Sequence, residues 1–208
     1  SYIADVPSSE VAALVNAGRL RAVPDLAAAD SLDTINICVP TPLRKTRDPD
    51  MTYVLSAAQW VKEHLRPGML VILESTTYPG TTEEVVRSIL EETGLRAGYD
   101  FFLAYSPERV DPGNLIYKTK NTPKVVGAIG PDAAQVISHM YRAVLDSEVF
   151  TVSSPAVAEM EKILENTYRN INIGLINELA MLCNRMGINI WEVVDAAKSK
   201  PYGFQAFY

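Results

Sequence analysis

In Met69-Leu70-Val71-Ile72-Leu73-Glu74-Ser75-Thr76-Thr77-Tyr78-Pro79-Gly80-Thr81-Thr82, an unbroken apolar run gives way to a loop crowded with hydroxyls. A continuous apolar run of this length suits a strand covered on both faces, as in parallel sheets. Five Ser and Thr hydroxyls then stand between that strand and a helix opened by Thr81 or Thr82. They form a hydrogen-bonding surface fit for a phosphate, a ribose or an ordered water. Helix capping accounts for Thr81 or Thr82 and leaves Ser75 and Thr76 unexplained.

The same alternation extends in both directions. Upstream, Thr34 to Val39 reads as a strand that stops at Pro40-Thr41-Pro42. Asp50 then caps a helix with Val54, Leu55, Ala58, Val61 and Leu65 on one face, ended by Pro67-Gly68. Downstream, the helix from Thr81 or Thr82 runs to about Glu92 and stops at Gly94. Phe101 to Tyr105 is a third strand, with Ser106-Pro107-Glu108 at its end. Lys124 to Ile129 is a fourth, followed by a helix from Pro131 to about Val144 and a fifth strand at Val149 to Val152. This order predicts a doubly wound parallel sheet, which places ligands outside the carboxyl ends of its strands.

The character changes at Ser153-Ser154-Pro155, where a cap and a first-turn proline open a long helix. Val157, Met160, Leu164, Tyr168, Ile171, Leu175, Leu179, Leu182 and Met186 recur at the helical period, and Ile163, Ile173, Ile176 and Met181 form a second stripe. Apolar residues on more than one side predict burial between neighbours. Gly187 ends this helix, and Ile190 to Lys198 makes a shorter one. The expected division is an α/β part over residues 1–152 and a helical part over 153–208. No Gly-x-Gly-x-x-Gly occurs, and Ser1 to Asp5 read as the interior of a domain, so the sheet is expected to lack its first strand–turn–helix unit.

Composition narrows the function classes. Lys and Arg number 19 against 25 Asp and Glu, a formal charge of −6, which speaks against a nucleic-acid groove or an anionic membrane surface. Two Cys and two His, far apart, exclude a structural zinc site and a disulfide scaffold. No apolar run reaches the length of a membrane span and no signal-peptide layout is present, so a reducing cytoplasm is the expected home.

Four segments could carry chemistry. In Cys38-Val39-Pro40-Thr41-Pro42, the proline pair either ends the strand or stiffens a loop that offers Thr41 to a ligand. Glu74 to Thr82 is the hydroxyl loop. In Ser106-Pro107-Glu108-Arg109-Val110-Asp111-Pro112-Gly113-Asn114, Glu108 is a general-base candidate at a strand end, and a surface Glu–Arg pair is the plain alternative. In Glu159 to Asn166, Lys162 and Asn166 lie four apart on one helix face, where a cation beside an amide donor can hold a developing oxyanion. A solvated charged face is the alternative, and it suits Glu161 and Glu165.

Together these segments resemble the UDP-glucose/GDP-mannose dehydrogenase family of nucleotide-sugar 6-dehydrogenases, in order and spacing. Ala158-Glu159-Met160-x-Lys162-x-x-Glu165-Asn166, Asn172-x-Gly174-Leu175-x-Asn177-Glu178 and Lys200-Pro201-Tyr202-Gly203-Phe204 continue the match, which covers essentially the whole chain. Ser-Pro-Glu-Arg-Val-Asp-Pro-Gly resembles the UDP-N-acetylglucosamine or N-acetylmannosamine branch more than the UDP-glucose enzymes.

The resemblance implies an incomplete Rossmann-like domain followed by an all-helical central domain. It implies NAD as cofactor and oxidation of a UDP-sugar C6 alcohol to a carboxylate, for polysaccharide biosynthesis, through an aldehyde trapped on a cysteine. Thr41, Ser75 and Thr76 would touch the dinucleotide, and Thr76 also the water used in catalysis. Glu108 would be the base for hydrolysis, and Lys162 and Asn166 would stabilise the C6 oxygen. Glu108, Arg109, Lys162, Asn166, Phe207 and Tyr208 would contact the sugar nucleotide, and the helix over 155–187 would build a homodimer. The family's Gly-rich turn would lie before Ser1 and its Gly-Gly-x-Cys nucleophile after Tyr208. Cys38, read as part of a strand, and Cys183, deep in a helix, do not replace that nucleophile. The chain is therefore expected to be inactive alone. Alternatives are the UDP-glucose enzyme, a hydroxyacid-type sister dehydrogenase, and a non-catalytic fragment binding a partner through the apolar helix.

Overall fold

The computed structural model describes residues 6–23, 31–111 and 113–208. The expectation for Ser1 to Asp5, and Pro112 within the Glu108 segment, lie outside them. The chain divides into two compact units, one through Met160 and one over Glu161–Tyr208.

The first unit opens with α1 (Ser8–Asn16), a helix the sequence reading did not anticipate and none of whose residues is buried. Five strands follow: β1 (Thr34–Ile37), β2 (Leu70–Leu73), β3 (Phe102–Tyr105), β4 (Lys124–Ala128) and β5 (Val149–Val152), side by side in that order. Between them run α2 (Thr52–His64), α3 (Arg87–Glu91) and α4 (Pro131–Val144). Every residue of β2 and β4 is buried, as an apolar strand covered on both faces must be. Ile35, Ile37, Val71, Leu73 and Leu103 pack on one face against Val54, Ala58 and Val61 of α2 and Leu90 of α3. Leu70, Ile72, Ala104 and Val126 pack on the other against Ala133, Ile137 and Tyr141 of α4. Each fully buried aliphatic side chain contributes about 1.5–3 kcal/mol.

The doubly wound arrangement is present, but the sheet is not parallel throughout. β1, β2 and β3 are parallel and β4 is parallel to β5, whereas β3 and β4 are antiparallel, with Ala104 opposite Ala128. A parallel crossover needs a helix-sized connection across the sheet. The described residues of 106–123 contain none, so the chain returns at the edge where it left.

Local differences from the expected elements have local causes. β1 ends at Ile37, not Val39, because Glu74 N–H and Ser75 N–H both converge on the Ile37 carbonyl while Val39 bonds to the Ser75 side chain. Asp50 does start α2, accepting the Thr52 amide and hydroxyl at 3.1 and 2.6 Å. Those bonds, with Arg44 beside it, lower its pKa to about 2. Leu55, expected on the core face, is exposed. The helix expected from Thr81 begins as a wide π-helical turn over Thr81–Val86 before α3.

The long helix α5 (Pro155–Met186) starts in the first unit, where Ala158 joins the core. Its remainder forms the second unit with α6 (Ile190–Ala197), around Ile176, Ile190 and Val194. Asn189 caps α6 by accepting the Trp191 amide. Burial between neighbours does not hold for α5. Leu164, Ile171, Leu175, Leu182 and Met186 are more than half exposed, because α6 and the C-terminal residues cover only one side. No helix among the described residues is long and apolar enough to cross a membrane.

Candidate functional site

Because β1, β2 and β3 are parallel and in register at Ile37, Leu73 and Tyr105, their following loops leave one edge of the sheet together. Thr41, Ser75, Thr76 and Glu108 all lie on those loops. The Thr41 hydroxyl donates to the Thr76 carbonyl at 2.7 Å, and Ser75 Oγ accepts the Val39 amide and donates to the Val39 carbonyl. Ser75 is thus buried as the rivet between two loops, whereas Thr76 is exposed. The neighbouring Thr77 hydroxyl is buried with no hydrogen-bond partner.

Beneath this surface lies a polar cluster that the sequence reading missed. Glu74, the first residue of the loop after β2, has both carboxylate oxygens engaged. Oε1 accepts from Asn36 Nδ2 at 2.8 Å and Tyr141 Oη at 2.7 Å, and Oε2 meets Lys124 Nζ at 3.0 Å. Burial, then the adjacent Glu74 charge, hold the Tyr141 hydroxyl far above its usual pKa, which keeps it a donor. The Lys124 ammonium also lies 3.5 Å from Glu108 Oε2. Glu108 turns back on its own loop, Oε1 accepting the Arg109 and Val110 amides at 2.8 Å each.

Cys38 requires a correction. It follows the strand rather than lying in it, and the residue is exposed at this edge. Partial desolvation, then Glu74, push its thiol pKa up, so it stays protonated and is a poor nucleophile. Cys183 is half-buried against the core of the second unit.

Capping at Thr81 and Thr82 is also replaced by a different device. Both residues are fully buried, and the donors at this helix start meet the Glu159 carboxylate of α5: Gly80 N at 2.6 Å, Thr82 N at 2.9 Å and Thr82 Oγ1 at 2.7 Å. A carboxylate at a helix N-terminus is the anion that such a terminus attracts. Desolvation nevertheless raises the Glu159 pKa against those three hydrogen bonds.

In the second unit, Lys162 and Asn166 are half-buried on α5, and Asn166 Oδ1 accepts from Arg169 at 3.4 Å. Glu161 and Glu165, assigned to a solvated face, are half-buried as well. Arg109, in the first unit, donates to the Pro123 carbonyl at 2.9 Å. Phe207 meets Tyr168 edge-on, and the two border a cavity of about 550 Å³ with Asn172, Leu175, Phe204 and Gln205. Tyr208 stacks on Trp191, and its hydroxyl joins Lys198 and Asp195. Among the described residues, no group of His, Cys, Asp and Glu is placed to hold a metal ion.

Residues 5–145 match the NAD binding domain of the UDP-glucose/GDP-mannose dehydrogenase family, and residues 156–208 match its central domain. The UDP-N-acetyl-D-glucosamine 6-dehydrogenase of Pseudomonas aeruginosa is 38% identical over 200 residues, covering 93% of this chain and 47% of that protein. The UDP-N-acetyl-D-mannosamine dehydrogenase of Pyrococcus horikoshii is 36% identical over 188 residues, covering 90% and 44%. A solved structure of a UDP-D-ManNAc dehydrogenase from Pyrococcus horikoshii aligns with a TM-score of 0.89 at 34% identity, covering 98% of this chain and 49% of that one. The chain spans about half the length of the curated relatives it matches.

Proposed function

Since the chain belongs to the UDP-glucose/GDP-mannose dehydrogenase family, with NAD the cofactor its matched domain indicates, we propose that it supplies the cofactor-binding and central parts of a UDP-sugar 6-dehydrogenase. The favoured substrate is a UDP-N-acetylhexosamine, the sugar class in the names of the relatives above. The whole protein oxidises the C6 alcohol to a carboxylate and works in the cytoplasm. The division of labour falls between residues 1–152, which serve the cofactor, and 153–208, which begin the sugar site.

One observation carries this reading: Thr41, Thr76 and Glu108 lie on three different loops that leave the same edge of the sheet. The donor set there fits a dinucleotide. Exposed Thr76, half-buried Thr41 and the orphaned Thr77 hydroxyl are neutral hydrogen-bonding groups of the kind that ribose and carboxamide need. NAD supplies the hydride acceptor when bound. Thr41 and Ser75 fix the loops, Thr76 presents a hydroxyl to the cofactor and to water, and Glu108 takes a proton from the water that releases the acid. Lys162 and Asn166 hold the C6 oxygen as charge develops on it. Arg109, Phe207 and Tyr208 shape the sugar-nucleotide site. The exposed stripe of α5 pairs with a second copy, since an apolar patch of that extent marks an interface.

The test is NADH formation by the full-length protein with UDP-N-acetylglucosamine, UDP-N-acetylmannosamine and UDP-glucose. Two NADH per N-acetylhexosamine supports the reading. A single NADH per sugar, or faster turnover of UDP-glucose, overturns the reaction or the sugar assignment respectively.

A further inference from the structure

We propose that Lys124 is a positioning residue that holds the Glu108 carboxylate in its working orientation, an inference that rests on Glu108 being the base of the hydrolysis. Nothing in the chain order brings these two together. They meet because β4 runs antiparallel to β3, which returns the first residue of β4 to the edge where β1, β2 and β3 end.

Lys124 is only 7% exposed, and a lysine that buried must be matched by opposite charge or give up its proton. Two carboxylates face it, Glu74 at 3.0 Å and Glu108 at 3.5 Å, and the ammonium lies 5.2 Å from the centre of the Tyr141 ring. The two carboxylates are not equivalent. Glu74 has a side chain only 13% exposed and is locked by Asn36 and Tyr141, so it fixes the lysine. Glu108 has a half-exposed side chain whose Oε1 is held by its own loop and whose Oε2 is the oxygen that Lys124 approaches.

The loop is fastened to the same strand on either side of that contact. Ser106 Oγ donates to the Val125 carbonyl at 2.8 Å, and Arg109 donates to the Pro123 carbonyl at 2.9 Å. Three successive positions of the β4 start therefore clasp the segment around Glu108. A general base must present its oxygen in a narrow range of directions, and second-shell partners that remove rotamer freedom provide this.

The experiment uses the full-length enzyme with Lys124→Met, Lys124→Arg, Glu108→Gln and the Lys124→Met/Glu108→Gln double variant. Lys124→Met should lower steady-state kcat roughly 10- to 100-fold, the scale of a misplaced catalytic group, while KM for sugar and NAD change less than about threefold. The initial burst of NADH should persist, because the loss falls on hydrolysis. Lys124→Arg should restore most of the rate. In the Glu108→Gln background, Lys124→Met should add less than about a twofold loss, since the two residues act as a unit.

A full multiplicative loss in that background, or an abolished burst, overturns the proposal. If Lys124→Met does not fold, Tyr141→Phe loosens Glu74 without removing charge, and should give a smaller loss with the same non-additivity. A wild-type rate in Glu108→Gln would sink the base assignment alone. The contact is read separately in a crystal structure of the Lys124→Met protein, where an unmoved Glu108 carboxylate sinks the positioning role.

Discussion

The Glu159 carboxylate accepts both the amide and the hydroxyl of Thr82, at 2.9 and 2.7 Å, across 77 residues of chain. With the Gly80 amide, that makes three donors satisfied by one buried side chain. The first turn of α5 is thereby tied to the loop that presents Thr76.

Glu159→Gln would place an amide NH₂ against backbone donors and leave one of them unpaired. The expected cost is about 1–3 kcal/mol, read as a lower Tm. The pH dependence has a definite sign. The native pKa lies above the ordinary carboxylate value, so the native state keeps this proton longer than the unfolded chain does. Its contribution to stability is therefore greatest below the unfolded pKa and declines as pH rises through the native one. The stability of wild type relative to Glu159→Gln should fall as pH rises from the ordinary carboxylate range through the higher native pKa. A flat or rising difference contradicts the assignment.

Lys162→Ala in the full-length protein should reduce kcat by about 10²–10³, the usual loss for an oxyanion donor, with little change in NAD affinity. An unchanged kcat returns Lys162 to a charged surface residue.

Gly127 in β4 lies where a Cβ would run into the Ser154 carbonyl and the Pro155 backbone. Both are main-chain atoms at the β5–α5 junction and cannot rotate aside. Gly127→Ala should therefore destabilise the chain by about 1–3 kcal/mol, as overpacking does. A thermal melt indistinguishable from wild type would mean that the junction shifts freely.

Leu182 is 53% exposed on the α5 stripe, whereas Ala180 packs against the core of the second unit. Leu182→Asp should therefore weaken self-association without unfolding the helices. Sedimentation velocity at micromolar concentration decides this, and a wild-type protein that is already monomeric removes the argument.

Cys38 should alkylate more slowly at neutral pH than an ordinary exposed cysteine, because its raised pKa leaves less thiolate. Iodoacetamide kinetics followed by mass spectrometry measure it directly. A rate equal to that of a free thiol would show that the desolvation and the Glu74 charge do not act on it.

The strand–helix alternation, the strand ends and the long helix were legible because burial and period leave a direct imprint on residue order. Direction did not show. Lys124 to Ala128 is buried throughout, and such a run reads the same whether it travels up or down the sheet. Lys124 was missed for that reason, since a lysine opening a strand resembles any solvent-facing terminus until its strand is turned round. Glu159 was missed because two of its three donors are backbone amides, which have no letter in the sequence. The shared edge of Thr41, Thr76 and Glu108 was legible because each follows a strand end, and parallel strands bring their ends together. The exposure of α5 escaped because a buried stripe and an unpartnered one share one periodicity.

The antiparallel step between β3 and β4 also makes residues 106–123 the connection that leaves and re-enters the sheet on the side where β1, β2 and β3 end. Its two anchors are neighbouring strands already fixed by the core. An exchange of the outer part of this segment between relatives would alter neither strand order nor the packing of either sheet face. The outer part of that segment can therefore vary in sequence while the frame that holds it stays the same.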